Sequence, residues 1–387
     1  MKRVISCLTF ITMLLSVTPM ALAKESTTVE LADKAKSAVL IERDTGTILY
    51  DKNSDEKLPP ASMTKIMTML LIMEALDKEQ IKWDEKVRTS EYAASMGGSQ
   101  IFLEPGEEMT VEQMLKGIAI GSGNDASVAM AEKIAGSAEE FVNMMNKKAD
   151  ELGLKNTHFK NPTGLPEQDH YSSAHDMALM AKELLKYEEI TNFTGKYEDY
   201  LREGTDKKFW LVNTNRLVKF YPGVDGVKTG FTNEAKYCLT ATAKKDNMRV
   251  IAVVFGADTP KDRNAQVTKM LDYAFSQYQT HPLFEKDHVL SQVEVSKGSE
   301  KKVSLMTSEP ISVLTKKGEK VDDVTQEVLM KKDIKAPVNK GDELGTLQLK
   351  KDGKVIAESR LVAEKDIDEA SWWTMFKRVM SNFSKAG

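Results

Sequence analysis

Three serines in this chain stand three residues before a lysine: Ser54 with Lys57, Ser62 with Lys65, and Ser299 with Lys302. Residues i and i+3 share a helical face, so a hydroxyl and an amine at that spacing can meet. Ser54 lies in a charged polar loop and Ser299 in a lysine-rich stretch, whereas Ser62 follows Pro59, Pro60 and Ala61 and opens an apolar run. Met63, Ile66, Met67 and Leu70 surround Lys65 in that run. Apolar surroundings disfavour an ammonium and lower its pKa, and an amine that is neutral part of the time can take the proton of a neighbouring serine. A helix start at Ser62 also aims backbone N–H groups at any oxyanion formed there. An exposed lysine beside a capping serine would look the same, so the pair alone leaves both readings open.

Two further groups supply what a serine–lysine hydrolase needs. Ser122, Gly123 and Asn124 form the one S-x-N triplet of the chain. A second hydroxyl there can relay a proton to a leaving amine, and the side-chain amide can hold a substrate amide. Alone, the triplet reads equally well as a helix cap. Lys228, Thr229 and Gly230 follow Gly223 to Val227. They offer a cation for a carboxylate, a hydroxyl beside it, and a residue without a side chain where substrate backbone can lie along a strand edge. The backbone N–H of Phe231 would then join that of Ser62 in an oxyanion hole.

These groups need elements to hold them. The pattern predicts a hairpin of 38–42 with 47–50, turning at Asp44 to Gly46, and then a nearly continuous apolar helix over 62–76, too apolar for a surface position. Thr110 three residues before Gln113 is a capping box that opens a helix ending at Gly121, and 125–134 is helical again, which puts 121–124 in a tight break. A second hairpin over 237–243 and 248–257 precedes a closing helix over 263–278. Hairpins at both ends with helices between them give an α/β (α+β) domain, an antiparallel sheet packed on helices. After His281 and Pro282, six short runs of period two, the last two turning at Asp352-Gly353, predict a small all-β domain. Trp372, Trp373, Phe376, Val379, Met380 and Phe383 then fall on one face of a C-terminal amphipathic helix, with Lys377, Arg378 and Lys385 available for the other. That pattern predicts an interfacial helix lying on a membrane surface.

Met1-Lys2-Arg3, an apolar run over 4–15 and Ala21-Leu22-Ala23 describe a signal peptide cut after Ala23, and the run is too short to span a bilayer. Processing moves the formal charge from −4 to −6 and leaves Cys238 as the sole cysteine, expected as a buried small hydrophobe. The mildly acidic balance excludes a nucleic-acid surface as a leading reading. The five histidines form no H-E-x-x-H pair, His170 and His175 being one residue off helical register, so a metal-dependent peptidase is disfavoured and no cofactor is expected. The expected layout is therefore a signal peptide (1–23), a catalytic domain (24–280), a β domain (281–366) and the terminal helix (367–387).

The order Ser62/Lys65, S-x-N and K-T-G resembles the signature shared by penicillin-binding proteins and class A β-lactamases. Pro60 to Thr68, Asn161-Pro162-Thr163-Gly164-Leu165 and Asp225 to Thr232 are similar, more narrowly, to the D-alanyl-D-alanine carboxypeptidases of peptidase family S11. The resemblance runs through residues 30–280, and the β domain and amphipathic tail also fit that family's layout. It implies that Ser62 forms an acyl-ester, Lys65 is the general base, Ser122 passes the proton with Asn124 positioning it, and Lys228, assisted by Thr229, binds the substrate's terminal carboxylate. The implied substrate is a peptidoglycan stem peptide ending in D-Ala-D-Ala, with β-lactams as slow covalent inhibitors and the outer face of the cytoplasmic membrane, or secretion, as the location. A β-lactamase would need a deacylating carboxylate between the second and third elements; Glu167 and Glu188-Glu189 lie there, outside the expected loop motif. A non-catalytic cell-wall binding protein would have lost one or more of these residues, and all are present.

Overall fold

The computed structural model describes residues 29–321 and 323–383, the side chains of 379–383 lying outside that description. The expected signal peptide and Lys385 fall outside the described residues.

Alternation along the strands decides the layering. In Ser37–Glu42, Val39 and Ile41 join one core while Ala38 and Leu40 join another. In Met248–Ala257, Ile251, Val253 and Phe255 divide from Val250, Ala252 and Val254 in the same way. Strands covered on both faces read as nearly unbroken apolar runs, as these do. Five strands pair antiparallel in the order Ile48–Lys52, Ser37–Glu42, Met248–Ala257, Lys236–Lys245, Val224–Thr232. The two expected hairpins thus merge into one sheet through Val39 opposite Val253, a pairing that local pattern could not reveal. Val224–Thr232, which carries Lys228 to Phe231, is an edge strand.

The helices Lys65–Asp77, Val111–Ala119, Asn124–Ala135 and Ala174–Leu184 pack on one face, and Pro260–Gln277 covers the other with Val267, Met270, Leu271 and Ala274. Lys65–Asp77 is buried continuously from Lys65 to Met73, as an all-round apolar helix must be. Its first turn is a separate 3-10 turn, Ala61–Thr64, because the prolines at 59 and 60 leave no room to extend the helix backwards. The capping box is present, with Gln113 N–H donating to Thr110 Oγ1 at 3.1 Å and Thr110 N–H to Gln113 Oε1 at 2.9 Å. Cys238 is fully buried, and burial pushes its thiol up to about 11, an inert sulfur.

The C-terminal sheet runs Val289–Glu294, Lys302–Thr307, Lys354–Ala363, Glu343–Lys351, Val324–Met330 over its own core of Val303, Leu305, Leu347, Leu349 and Leu361. Ile311–Lys316 instead pairs with Tyr278–Phe284, a strand that crosses the expected boundary at 280. Pro282 is tolerated in it at a register shift, where no ladder donor is needed. Trp372–Phe383 forms the terminal helix, and the Arg378 guanidinium donates to the carbonyls of Gly298 and Ser299 at 2.7 and 2.8 Å. Arg378 therefore ties the helix to the β domain rather than standing free on its polar face.

Candidate active site

Ser62 is the one residue of 61–73 that is not buried. Ala61 before it takes a φ of +48°, a conformation that a residue with a side chain adopts only when its surroundings impose it. Gly164 supplies that constraint. A Cβ on Gly164 would stand 1.8 Å from Ala61 O and 2.3 Å from Ala61 C, and its φ is +84°. The loop 161–165 is therefore pressed onto the backbone that presents the serine. Asn161 holds its turn, with Oδ1 accepting from Gly164 N–H at 2.7 Å and from the Thr163 hydroxyl at 2.9 Å. Gly164→Ala is expected to lower stability by about 3 kcal/mol and to slow acylation with it, measured by thermal unfolding and fluorescent-penicillin labelling. A variant with unchanged Tm would remove this loop from the account.

Lys65 Nζ lies 3.2 Å from Ser62 Oγ, 2.6 Å from Asn124 Oδ1 and 2.6 Å from Thr163 O. The side chain is fully buried. Burial holds its amine well below the ordinary lysine range, Lys228 pushes the same way, and Asp125 opposes them. A neutral amine has two N–H groups and one lone pair. Donating to the carbonyl oxygens of Asn124 and Thr163 leaves the lone pair for the Ser62 hydroxyl, which is the arrangement a general base requires. The Asn124 amide nitrogen donates to Gly97 O at 2.7 Å, so the oxygen is fixed toward Lys65. Asp125 organises the same loop by accepting from Ile101 N–H and Leu103 N–H at 3.0–3.1 Å.

Ser122 sits in the break between helices with φ +62°, buried, its hydroxyl without a hydrogen-bond partner among the described residues. It lies two residues before Asn124, between the helices Val111–Ala119 and Asn124–Ala135. The third element closes against the first at Gly230, where a Cβ would stand 2.7 Å from Pro60 O and 3.2 Å from Ala61 Cβ. Lys228 is buried, its ammonium donating to Thr229 O at 3.1 Å, and the Thr229 hydroxyl donates to Thr214 Oγ1 at 2.7 Å. The three stretches named from the sequence thus converge.

Sequence reasoning missed Arg263. It is 6% exposed, its guanidinium donates to Asn264 Oδ1 at 2.9–3.0 Å, and among the described residues it has no carboxylate partner. Burial brings Arg263 down to about 10. Lys228 falls to about 7, through burial first and the Arg263 charge second. Two buried cations without a counterion define a place for an anion. A helix position far from the motifs gave no signal for it. Binding an anion requires Lys228 charged, and its charged fraction falls as pH rises through about 7. We expect kcat/KM for a carboxylate-bearing substrate to decline above that pH while kcat holds, because the bound anion itself raises the lysine. A pH profile of both constants checks this.

Among the described residues none of the three carboxylates weighed for a lactamase, Glu167, Glu188 and Glu189, hydrogen-bonds the serine, whose hydroxyl contacts Lys65. Glu167 is exposed and accepts from Asn161 Nδ2 at 3.3 Å, and Glu188 pairs with Arg43 at 3.6 Å. His170 is a buried structural residue: Lys160 N–H donates to its Nδ1 at 3.0 Å, its Nε2 lies 2.8 Å from Thr64 Oγ1, and burial lowers it to about 4.

Comparison with known proteins gives two family matches, "D-alanyl-D-alanine carboxypeptidase" over residues 23–259 and "Penicillin-binding protein 5, C-terminal domain" over 278–369. The chain is similar to the D-alanyl-D-alanine carboxypeptidase DacF of Bacillus subtilis (strain 168), 71% identical over 387 residues and 100% of both chains. It resembles the crystal structure of penicillin binding protein 5 from Haemophilus influenzae, with TM-score 0.67, 33% identity, 87% of this chain and 98% of that one. Penicillin-Binding Protein D2 from Listeria monocytogenes, in its ampicillin-bound form, gives TM-score 0.54 and 30% identity over 62% of this chain and 98% of that one.

Proposed function

The chain belongs to the D-alanyl-D-alanine carboxypeptidases of peptidase family S11, and from that premise we propose how its residues divide the reaction. Its substrate is a peptide ending in D-Ala-D-Ala, and it acts in cell-wall peptidoglycan metabolism as a penicillin-binding protein. Lys228, with Arg263 and the Thr229 hydroxyl beside it, holds the terminal carboxylate. The neutral Lys65 amine takes the Ser62 proton as Oγ attacks the carbonyl carbon of the penultimate D-alanine. The resulting oxyanion is met by the N–H groups of Ser62 and Phe231. Asn124 and Thr163 position Lys65, and Ser122 passes the proton to the departing amine of D-alanine. Water then hydrolyses the ester, with Lys65 again as base.

A β-lactam carries its carboxylate and strained amide in the places of the substrate's own. Its amine stays tethered after the ring opens and obstructs water, and among the described residues no carboxylate hydrogen-bonds Ser62 to speed deacylation. The observation that carries this reading is the triple contact of Lys65 with Ser62, Asn124 and Thr163. Mass spectrometry of penicillin-treated protein tests it: the added mass belongs on the tryptic peptide 58–65, and an adduct elsewhere defeats the assignment.

We also assign the chain to the outer surface of the cytoplasmic membrane, exported by residues 1–23 and held by its terminal helix. No helix among the described residues is long and apolar enough to cross a membrane. Trp372, Trp373 and Phe376 are 74%, 56% and 42% exposed, with ring centroids 5.4–6.0 Å apart, a compact apolar patch. Replacing all three by alanine is expected to weaken sedimentation with anionic lipid vesicles by about 100-fold or more. Equal sedimentation of both proteins would exclude the helix as the anchor.

A further inference from the structure

Residues 97–103 form neither helix nor strand, yet they supply four backbone groups to the turn that carries Asn124. Gly97 O accepts from Asn124 Nδ2 and Ser99 O from Asn124 N–H, both at 2.7 Å. The N–H groups of Ile101 and Leu103 donate to the Asp125 carboxylate at 3.0–3.1 Å. The Ile101 side chain fills space that two glycines leave: a Cβ would stand 2.9 Å from it at Gly117 and 3.3 Å from it at Gly123. The Lys65 amine is therefore only as well placed as this loop, which holds the Asn124 amide whose oxygen lies 2.6 Å from Nζ.

The other edge of the loop is held by Arg202, which follows the strand Glu198–Leu201 and has a side chain only 10% exposed. Its Nη1 donates to Ile101 O and its Nη2 to Phe102 O, both at 3.0 Å. Nε and Nη2 also donate to the Glu107 carboxylate at 2.6 and 3.1 Å. All three nitrogens are thus engaged, and the charge is met by Glu107. Phe102 takes a φ of +56°, which a residue with a side chain holds only under constraint. Its ring is 64% exposed and meets Phe209 edge-on at 5.6 Å, so the guanidinium on its carbonyl is the firmer constraint. We propose that Arg202 is a positioning residue for acylation: clamped between Glu107 and the carbonyls of Ile101 and Phe102, it fixes the loop that orients Asn124 and, through Asn124, the Lys65 amine. This rests on Lys65 acting as the base, as proposed above. A planar guanidinium serves two carbonyls and a carboxylate at once, which the point charge of a lysine does not. Lys207 and Glu104 join the same two segments at 2.7 Å, but both are exposed, and a pair of that kind holds little.

Stopped-flow acylation by penicillin over a range of concentrations separates the acylation rate constant from the dissociation constant of the non-covalent complex. Arg202→Ala is expected to slow the first by about 30-fold, an effect of the size that a small misplacement of a reacting group produces, and to leave the second within about two-fold. The second holds because Lys228 and Arg263, which meet the carboxylate, hydrogen-bond neither Arg202 nor the loop among the described residues. Every molecule is still labelled in the end, whereas a variant that is merely unstable labels a smaller fraction at the parental rate. Arg202→Lys, able to reach one carbonyl, recovers part of the rate, and Lys207→Ala keeps all of it. A parental rate in Arg202→Ala, a loss confined to the labelled fraction, or equal slowing in Lys207→Ala overturns the inference. Lys65→Arg in the same assay reports on the base separately: parental acylation by that variant removes the premise, a failure distinct from any result at Arg202.

Discussion

Ser62→Ala lowers D-alanine release from a D-Ala-D-Ala peptide by at least about 10⁴-fold, the expected loss when a covalent nucleophile is removed from a site that still binds substrate. That factor corresponds to about 5.5 kcal/mol of lost transition-state stabilisation. The fold does not change with it. Ser62 is partly exposed, among the described residues its hydroxyl hydrogen-bonds Lys65 alone, and its neighbours Ala61 and Met63 are buried in the core. The variant should therefore melt within a degree or two of the parent while losing covalent labelling by fluorescent penicillin. Residual turnover above about 1% would mean that another group supplies the nucleophile, and Ser54 and Ser299 would have to be reconsidered.

The second large effect is expected at Lys65. Lys65→Arg puts a permanent charge in place of the neutral amine and removes the function. A guanidinium stays protonated at any working pH, so it cannot accept the serine proton. It is also wider than the amine, and the acceptors at Asn124 and Thr163 stand only 2.6 Å from the present nitrogen. Acylation by penicillin should fall by about 10³-fold or more, read by stopped-flow labelling, and Tm should fall as well because a charged fork is forced into a buried site. The companion variant Lys65→Met is also inactive but distorts less, since it places a chain of similar length and no charge near Lys228. If Lys65→Arg acylated at the parental rate, the depressed lysine would be a structural consequence of burial and not the base.

The chemistry was legible in the sequence because it resides in contiguous words. Ser62 to Lys65, Ser122 to Asn124 and Lys228 to Phe231 each carry their own spacing, and local pattern also predicted the helix that holds the first and the interhelical break that holds the second, while the strand Val224–Thr232 that holds the third was not among the predicted elements. The apolar run after Ser62 announced a buried helix, and burial is what lowers Lys65. The exposed tryptophans of the last helix were likewise readable from their spacing.

What the chain could not announce was everything made by contact across it. Thr163 lay inside a noticed motif without a role, because its contribution is a backbone carbonyl and every residue has one. Arg263 lies on a helix with no motif around it, and its importance comes from being desolvated next to Lys228. The pairing of Val39 with Val253, and the strand Tyr278–Phe284 crossing the expected domain boundary, follow from sheet partners that are remote in sequence. Arg378, read as available for the polar face of the terminal helix, donates to two carbonyls of the β domain. Sequence by itself determined which functional groups exist and the local geometry of each, since spacing and hydrophobic period act over a few residues. Tertiary structure alone decided which groups lose their water together, because pKa shifts and unpaired charges arise from burial among distant neighbours.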